Sequence, residues 1–245
     1  MQTIHPFFIL RGLLSGINGF YPAERPYLQE PHVRHRITDA DMFALTALPP
    51  GVDKAEWLAS NTVAFFKHIN LLSSALSEFC TTSTVYFWTD EHGRRLKCSA
   101  PLYFDYALSY IQELLTDEDV FPTKAGAAFP TGFLLLVQKV FLLLFRTLAH
   151  IYWSHYNEAL ALGLHPHLNT MFAHLTLFCH HHALLDFLPV STINCAILLF
   201  SFLSNDRSEA IGVEKGCSYS LLKKSYSVTV SFHPKYVTCL CFNML

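Results

Sequence analysis

From Asp53 onward the apolar positions fall into a helical rhythm. Phe65, Ile69, Leu72, Leu76 and Phe79 recur at spacings of 4, 3, 4 and 3, which places them on one face of a long helix. Asp53 is suited to cap that helix, with Glu56 three residues on, as in a capping box. The rhythm changes after Cys80. Val85–Trp88 and Arg94–Cys98 read as two short strands, and Asp90–Gly93 reads as the turn of a hairpin. Pro101 suits a first helical turn, and Tyr103, Ala107, Ile111 and Leu114 continue a helical face until the polar run Thr116–Asp119. A Pro-bearing loop with Phe121-Pro122 and Phe129-Pro130 around Gly126 leads into a very apolar helix expected over Gly132–Leu160. Pro166 opens another helix, with Leu168, Phe172, Leu175 and Phe178 or Cys179 on its inner face and Asp186 near its end.

Amphipathic helices joined by short connections bury their stripes against one another, so the fold class is mainly α: a helical bundle with one small β-hairpin. Two flanks depart from that pattern. Residues 1–22 are apolar and glycine-bearing and read as an arm, followed by a Pro-punctuated stretch; residues 187–245 are apolar, Ser-rich and Cys-bearing. The organisation is therefore an arm (1–22), a helical domain (23–186) and a divergent tail (187–245). Phe187–Leu203 falls short of a membrane span because Pro189, Ser191, Thr192 and Asn194 interrupt it, and Ile4–Leu14 lacks the basic flank of a signal peptide.

Charge narrows the partners. Lys and Arg number 17 against 19 Asp and Glu, a net charge of −2 without a basic run, which argues against nucleic acid. The seven scattered cysteines form no ladder of pairs, so reduced thiols inside the cell are expected. Cys80, His150 and His155 are the residues best suited to zinc. Histidines five apart lie about 140° apart around an ideal helix, so both can ligate only at a helix end or a local bend. The alternative is two interior histidines bonded to neighbours. Successive His180, His181 and His182 diverge around the axis and read as a solvated helix end, while His165 and His167 read as turn residues. Glu56 beside Trp57 is either an anchor pair for a partner or a cap beside a core aromatic. No phosphate loop, nucleophile elbow or paired carboxylates are present, so no enzyme is expected.

Longer motifs carry a resemblance. Glu56–Thr62, Phe65-Phe66, His68–Leu71, Ser77–Thr81, Lys97–Pro101, Thr116–Lys124, Leu148–His155 and His167–Thr170 together resemble the Mps one binder (MOB) kinase-regulator family, its type-2 branch in particular, over about residues 22–186. The resemblance implies a helical bundle with a structural zinc held by two Cys and two His. It also implies a surface that docks the N-terminal regulatory segment of NDR/LATS-type AGC kinases, in the cytoplasm and nucleus, with the protein monomeric apart from the kinase. Carried over, the zinc ligands are Cys80, His150 and His155, and the kinase-binding positions are Glu56, Trp57, Phe121, Pro122, Lys124 and His174. Three departures matter. Val85 stands where the family has its second Cys, with the loop before the strand shortened, so water or another side chain such as Cys98 would have to complete the site. Val52 replaces an acid of activating relatives, and Leu142, Leu143 and Arg146 replace a basic triplet that binds phosphopeptides. The tail and shortened loop fit an alternative transcript end, with impaired zinc and kinase binding as one alternative function and a zinc hydrolase with an open three-ligand site as another.

Overall fold

The structure, a computed structural model, describes Tyr27 and residues 30–80, 85–90, 92–124 and 126–185. The arm, the tail and Asp186 lie outside the described residues.

Short helices α1 (Glu30–Val33) and α2 (Met42–Thr46) precede the long α3 (Lys54–Leu76), which ends in a 3-10 turn at Ser77–Phe79. Strands β1 (Val85–Thr89) and β2 (Arg95–Ser99) follow, then α4 (Ala100–Thr116), α5 (Phe133–Ser154), α6 (Tyr156–Ala161) and α7 (His165–His182). The expected mainly helical fold with one hairpin is what forms.

Asp53 caps α3: its carboxylate accepts the backbone N–H of Ala55 at 2.8 Å and of Glu56 at 3.1 Å, donors that the first turn leaves without a helical partner. Leu58, Phe65, Phe66, Ile69, Leu72 and Leu76 are buried. Phe79 is not: the helix closes at Leu76, the tighter turn swings the ring round, and it is 42% exposed. At the centre of the bundle Phe65 of α3, Phe141 of α5 and Phe178 of α7 form a triangle with ring centroids 5.3–5.4 Å apart.

The hairpin is antiparallel, with Tyr86 opposite Cys98 and Trp88 opposite Leu96. Its turn is tied by Asp90, whose carboxylate accepts from His92 N, Arg94 N and Arg94 Nε at 2.7–2.9 Å. Gly93 supplies the positive φ (75°) that this turn requires. Alternation turns Tyr86 and Trp88 toward α4, where Tyr86 stacks on Tyr103 at 4.9 Å, and leaves Val85 and Phe87 exposed.

The apolar stretch expected as one helix over Gly132–Leu160 is two. α5 ends at Ser154, and His155, at φ −131° and ψ 18°, breaks the backbone before α6. By length and composition α5 could cross a bilayer, but 56% of its most apolar window is buried in the bundle.

The C-terminal end of α7 also differs from a solvated end. His180 is exposed, but His181 Nδ1 pairs with the Thr46 hydroxyl at 2.7 Å and buried His182 donates from Nε2 to the Thr46 carbonyl at 2.9 Å. These two histidines fasten α2 to α7. At the other end, His165 and His167 belong to the first turn of α7, with His165 Nε2 3.2 Å from His35 Nδ1. Asn169 secures the N-terminal segment, donating to the carbonyls of His32 (2.8 Å) and His35 (2.9 Å) while accepting from the Tyr152 hydroxyl (2.7 Å).

Candidate metal centre

Three chain segments converge behind the hairpin. Cys80 follows the 3-10 turn that closes α3, His150 lies in the last two turns of α5, and His155 is the residue at which α5 gives way to α6. His150 Nε2 lies 3.3 Å from Cys80 Sγ and 3.1 Å from His155 Nε2, and the three donor atoms all fall within 4.8 Å of one another. The helix break answers the angular problem of the five-residue spacing, because His155 still donates its N–H to the Ile151 carbonyl but leaves helical backbone angles, and its ring meets that of His150.

A tetrahedral zinc with ordinary bond lengths needs N···N of about 3.3 Å and N···S of about 3.6 Å between its ligands. The separations of His150 from Cys80 and from His155 lie a few tenths of an ångström inside those values, and Cys80 and His155 lie within 4.8 Å of each other. The donor set, one thiol and two imidazoles, is also the chemistry that zinc prefers. These residues therefore fit the metal that the resemblance implies.

The surroundings hold the imidazole of His150 in place. The Tyr86 hydroxyl is 2.6 Å from His150 Nδ1, so with Nδ1 paired there, Nε2 is the atom that faces Cys80 and His155. The Phe104 ring lies 4.6 Å from the same imidazole. Burial, with His155 beside it, lowers the pKa of His150 to about 3, so its imidazole is neutral and able to ligate at neutral pH. His155 is also lowered by burial, opposed by the charge of Glu158. Burial raises the Cys80 thiol, a cost that a bound cation offsets because the metal binds the thiolate. His155 Nδ1 and Glu158 Oε2 are both buried without a hydrogen-bond partner.

Neither replacement for the family's second Cys joins this cluster. Val85 opens β1, 38% exposed and paired with Ser99. Cys98 is buried on β2, its sulfur 3.7 Å from the Leu96 carbonyl, and it stands outside the three-donor group. Cys80, Cys98 and Cys179, the described cysteines, are all free thiols. Sequence reasoning missed Tyr86 and Phe104 as supports of His150. Their aromatic character at inward positions of the hairpin and α4 was the available signal.

The six expected docking residues sit on three elements. Glu56 is exposed and Trp57 half-buried on the first turn of α3, where the acid also suits the positive end of the helix. Pro122 is half-buried and Lys124 exposed in the loop between α4 and α5. Phe121 from that loop is 6% exposed and packs on Phe133 at 5.2 Å, so it anchors the loop rather than presenting its ring to solvent. His174 on α7 lies against Phe65 at 4.7 Å and is lowered by burial. Arg146 donates to the Tyr103 hydroxyl at 2.9 Å beside buried Leu143.

The sequence signature of the Mob1/phocein family matches residues 34–191. The chain belongs to the Mob1/phocein family. It is 49% identical over 181 residues to a mouse (Mus musculus) protein named MOB kinase activator 2, covering 69% of this chain and 77% of that one. The human (Homo sapiens) protein of the same name is 50% identical over 181 residues, covering 69% and 76%. A fission yeast (Schizosaccharomyces pombe) protein, maintenance of ploidy protein mob2, is 37% identical over 170 residues, 65% of this chain and 70% of that one. The type-2 branch of the family is thereby supported for this chain.

Proposed function

We propose that this chain is a non-catalytic regulatory subunit that docks the N-terminal regulatory segment of an NDR/LATS-type AGC kinase and shifts that kinase between its active and inactive states. The observation that carries the reading is the identity of about half, through the helical domain, to proteins named as kinase activators. The reading assigns contact to Glu56, Trp57, Pro122, Lys124 and His174, with Phe121 holding the loop from beneath. An exposed acid beside a half-buried indole suits a basic amphipathic helix, the charge steering encounter and the ring adding buried area. A subunit that binds one kinase conformation better than the other shifts the equilibrium by that difference in affinity. Zinc on Cys80, His150 and His155 would pin the end of α3 to the α5–α6 junction and so stiffen the bundle that presents this face. The subunit acts as a monomer apart from the kinase, in the cytoplasm and nucleus. The test is calorimetric titration of the full chain with a peptide spanning that kinase segment. Saturable binding weakened roughly tenfold or more by Glu56→Lys is expected; no binding, or binding indifferent to Glu56→Lys and Trp57→Ala, refutes the reading.

A further inference from the structure

We infer that the Cys80–His150–His155 centre keeps one coordination position open to an adjoining cavity, and that this cavity takes a small thiol carrying a cationic amine as the fourth ligand. The inference rests on the metal-binding reading of those three residues.

A cavity of about 640 Å³ has Cys80, His150 and His155 in its wall, beside the end of α3 and the outer turns of α4. That volume lies in the range of small-molecule sites. A closed structural zinc site uses four protein ligands, and three protein ligands leave a position for an exchangeable one. Among the described residues, Val85 is a hydrocarbon, Cys98 faces the Leu96 carbonyl, the Tyr86 hydroxyl is engaged at His150 Nδ1, and Glu158, whose Oε2 is buried without a partner, stands outside the three-donor group. The fourth donor then comes from the cavity side.

Charge and softness select its class. A divalent cation with one thiolate and two neutral imidazoles retains a net charge of about +1, which favours an anionic donor, and thiolates are the soft ligands zinc takes readily. The cavity lining includes Asp105 and Glu113, exposed acids of α4, together with Ser73 and Ser77 from the end of α3 and the turn after it. A thiol ending in an ammonium group satisfies both ends, whereas one ending in a carboxylate meets like charge. On binding, the thiol releases its proton to solvent, its sulfur bonds the metal, and the water occupying that position leaves.

The full chain loaded with cobalt(II) and titrated with cysteamine and, separately, mercaptoacetate tests this through the thiolate-to-cobalt charge-transfer band. Stoichiometric cobalt uptake with the intensity of one thiolate comes first; its failure removes the metal reading together with this inference. In the loaded protein, cysteamine should add a second thiolate's intensity saturably, without releasing cobalt, and bind roughly tenfold tighter than mercaptoacetate. Asp105→Asn should narrow that ratio while holding cobalt as well as the parent. The inference is overturned by an unchanged band in the parent, by cobalt stripped on addition of thiol, by equal affinity for the two thiols, or by loss of cobalt in Asp105→Asn, which would make Asp105 the fourth ligand. Kinase-peptide binding plays no part in this readout, so failure of the docking proposal leaves it standing.

Discussion

Replacing Tyr86 by Phe removes one oxygen from the support of the metal centre and leaves the rest of the side chain in place. The ring is 1% exposed, stacked on Tyr103 and edge-on to His150, and its hydroxyl is 2.6 Å from His150 Nδ1. Phe keeps those ring contacts, so the loss is the hydrogen bond and a buried imidazole nitrogen left without a partner. A buried polar group stripped of its partner costs about 1–3 kcal/mol. In the metal-free protein about 2 kcal/mol corresponds to a fall of roughly 4–8 °C in Tm for a domain of this size. Loaded with zinc, the same bond fixes the imidazole and raises its basicity, and losing such a partner lowers metal affinity about 10–100-fold. Competition of the purified protein against a chromophoric zinc chelator reads the second effect, and thermal unfolding with and without metal reads the first. Tyr106→Phe, at a ring 36% exposed, is the control and should shift stability by no more than about 0.5 kcal/mol. Zinc affinity within about twofold of the parent in Tyr86→Phe, with an unchanged Tm, would refute the role given to this hydroxyl.

Asn169→Ala should destabilise by about 3 kcal/mol, because the carbonyls of His32 and His35 lose their donor and the Tyr152 hydroxyl its acceptor; hydrogen exchange should show protection lost first around residues 30–37, and uniform loss would count against a local clamp. Phe141→Ala, at a fully buried ring of the central triangle, should cost about 3–5 kcal/mol in urea unfolding. For acid sensitivity, His174 and His182 both titrate below the ordinary 6.5, chiefly through burial, with repulsion from His68 for the first and from Lys54 and His181 for the second, the Thr46 carbonyl opposing in the latter case. Their depressed folded pKa means the unfolded chain takes up protons first, so this stability is complete above about pH 6.5 and is lost as pH falls through the folded values. The urea midpoint of the metal-free protein should therefore drop between about pH 7.5 and about pH 5.5, and drop less in His182→Asn; a midpoint that holds or rises would contradict the sign.

Much of the framework was legible because it is local. The cap at Asp53, the apolar stripe of α3, the hairpin with its Asp90–Gly93 turn and the helix opened by Pro101 all depend on residues a few positions apart, which interact the same way in any surrounding fold. The sequence also carried the three candidate metal ligands and the family motifs, since both are statements of residue type and order. Expectations failed where distant segments decide. No Gly or Pro marks the break at His155, and the apolar rhythm runs through it, so the helix of 132–160 is divided by packing that turns His155 toward His150. His181 and His182 read as a wet helix end until α2 is seen closing on them across about 135 residues of chain. Phe121 and Arg146 likewise show only in three dimensions that they are tied to Phe133 and Tyr103. The meeting of Cys80 with His150, 70 positions apart, and the cavity beside them are properties of how α3, α4 and α5 pack. Local periodicity determines which face of each helix is buried; only the tertiary arrangement determines which side chains meet across those faces.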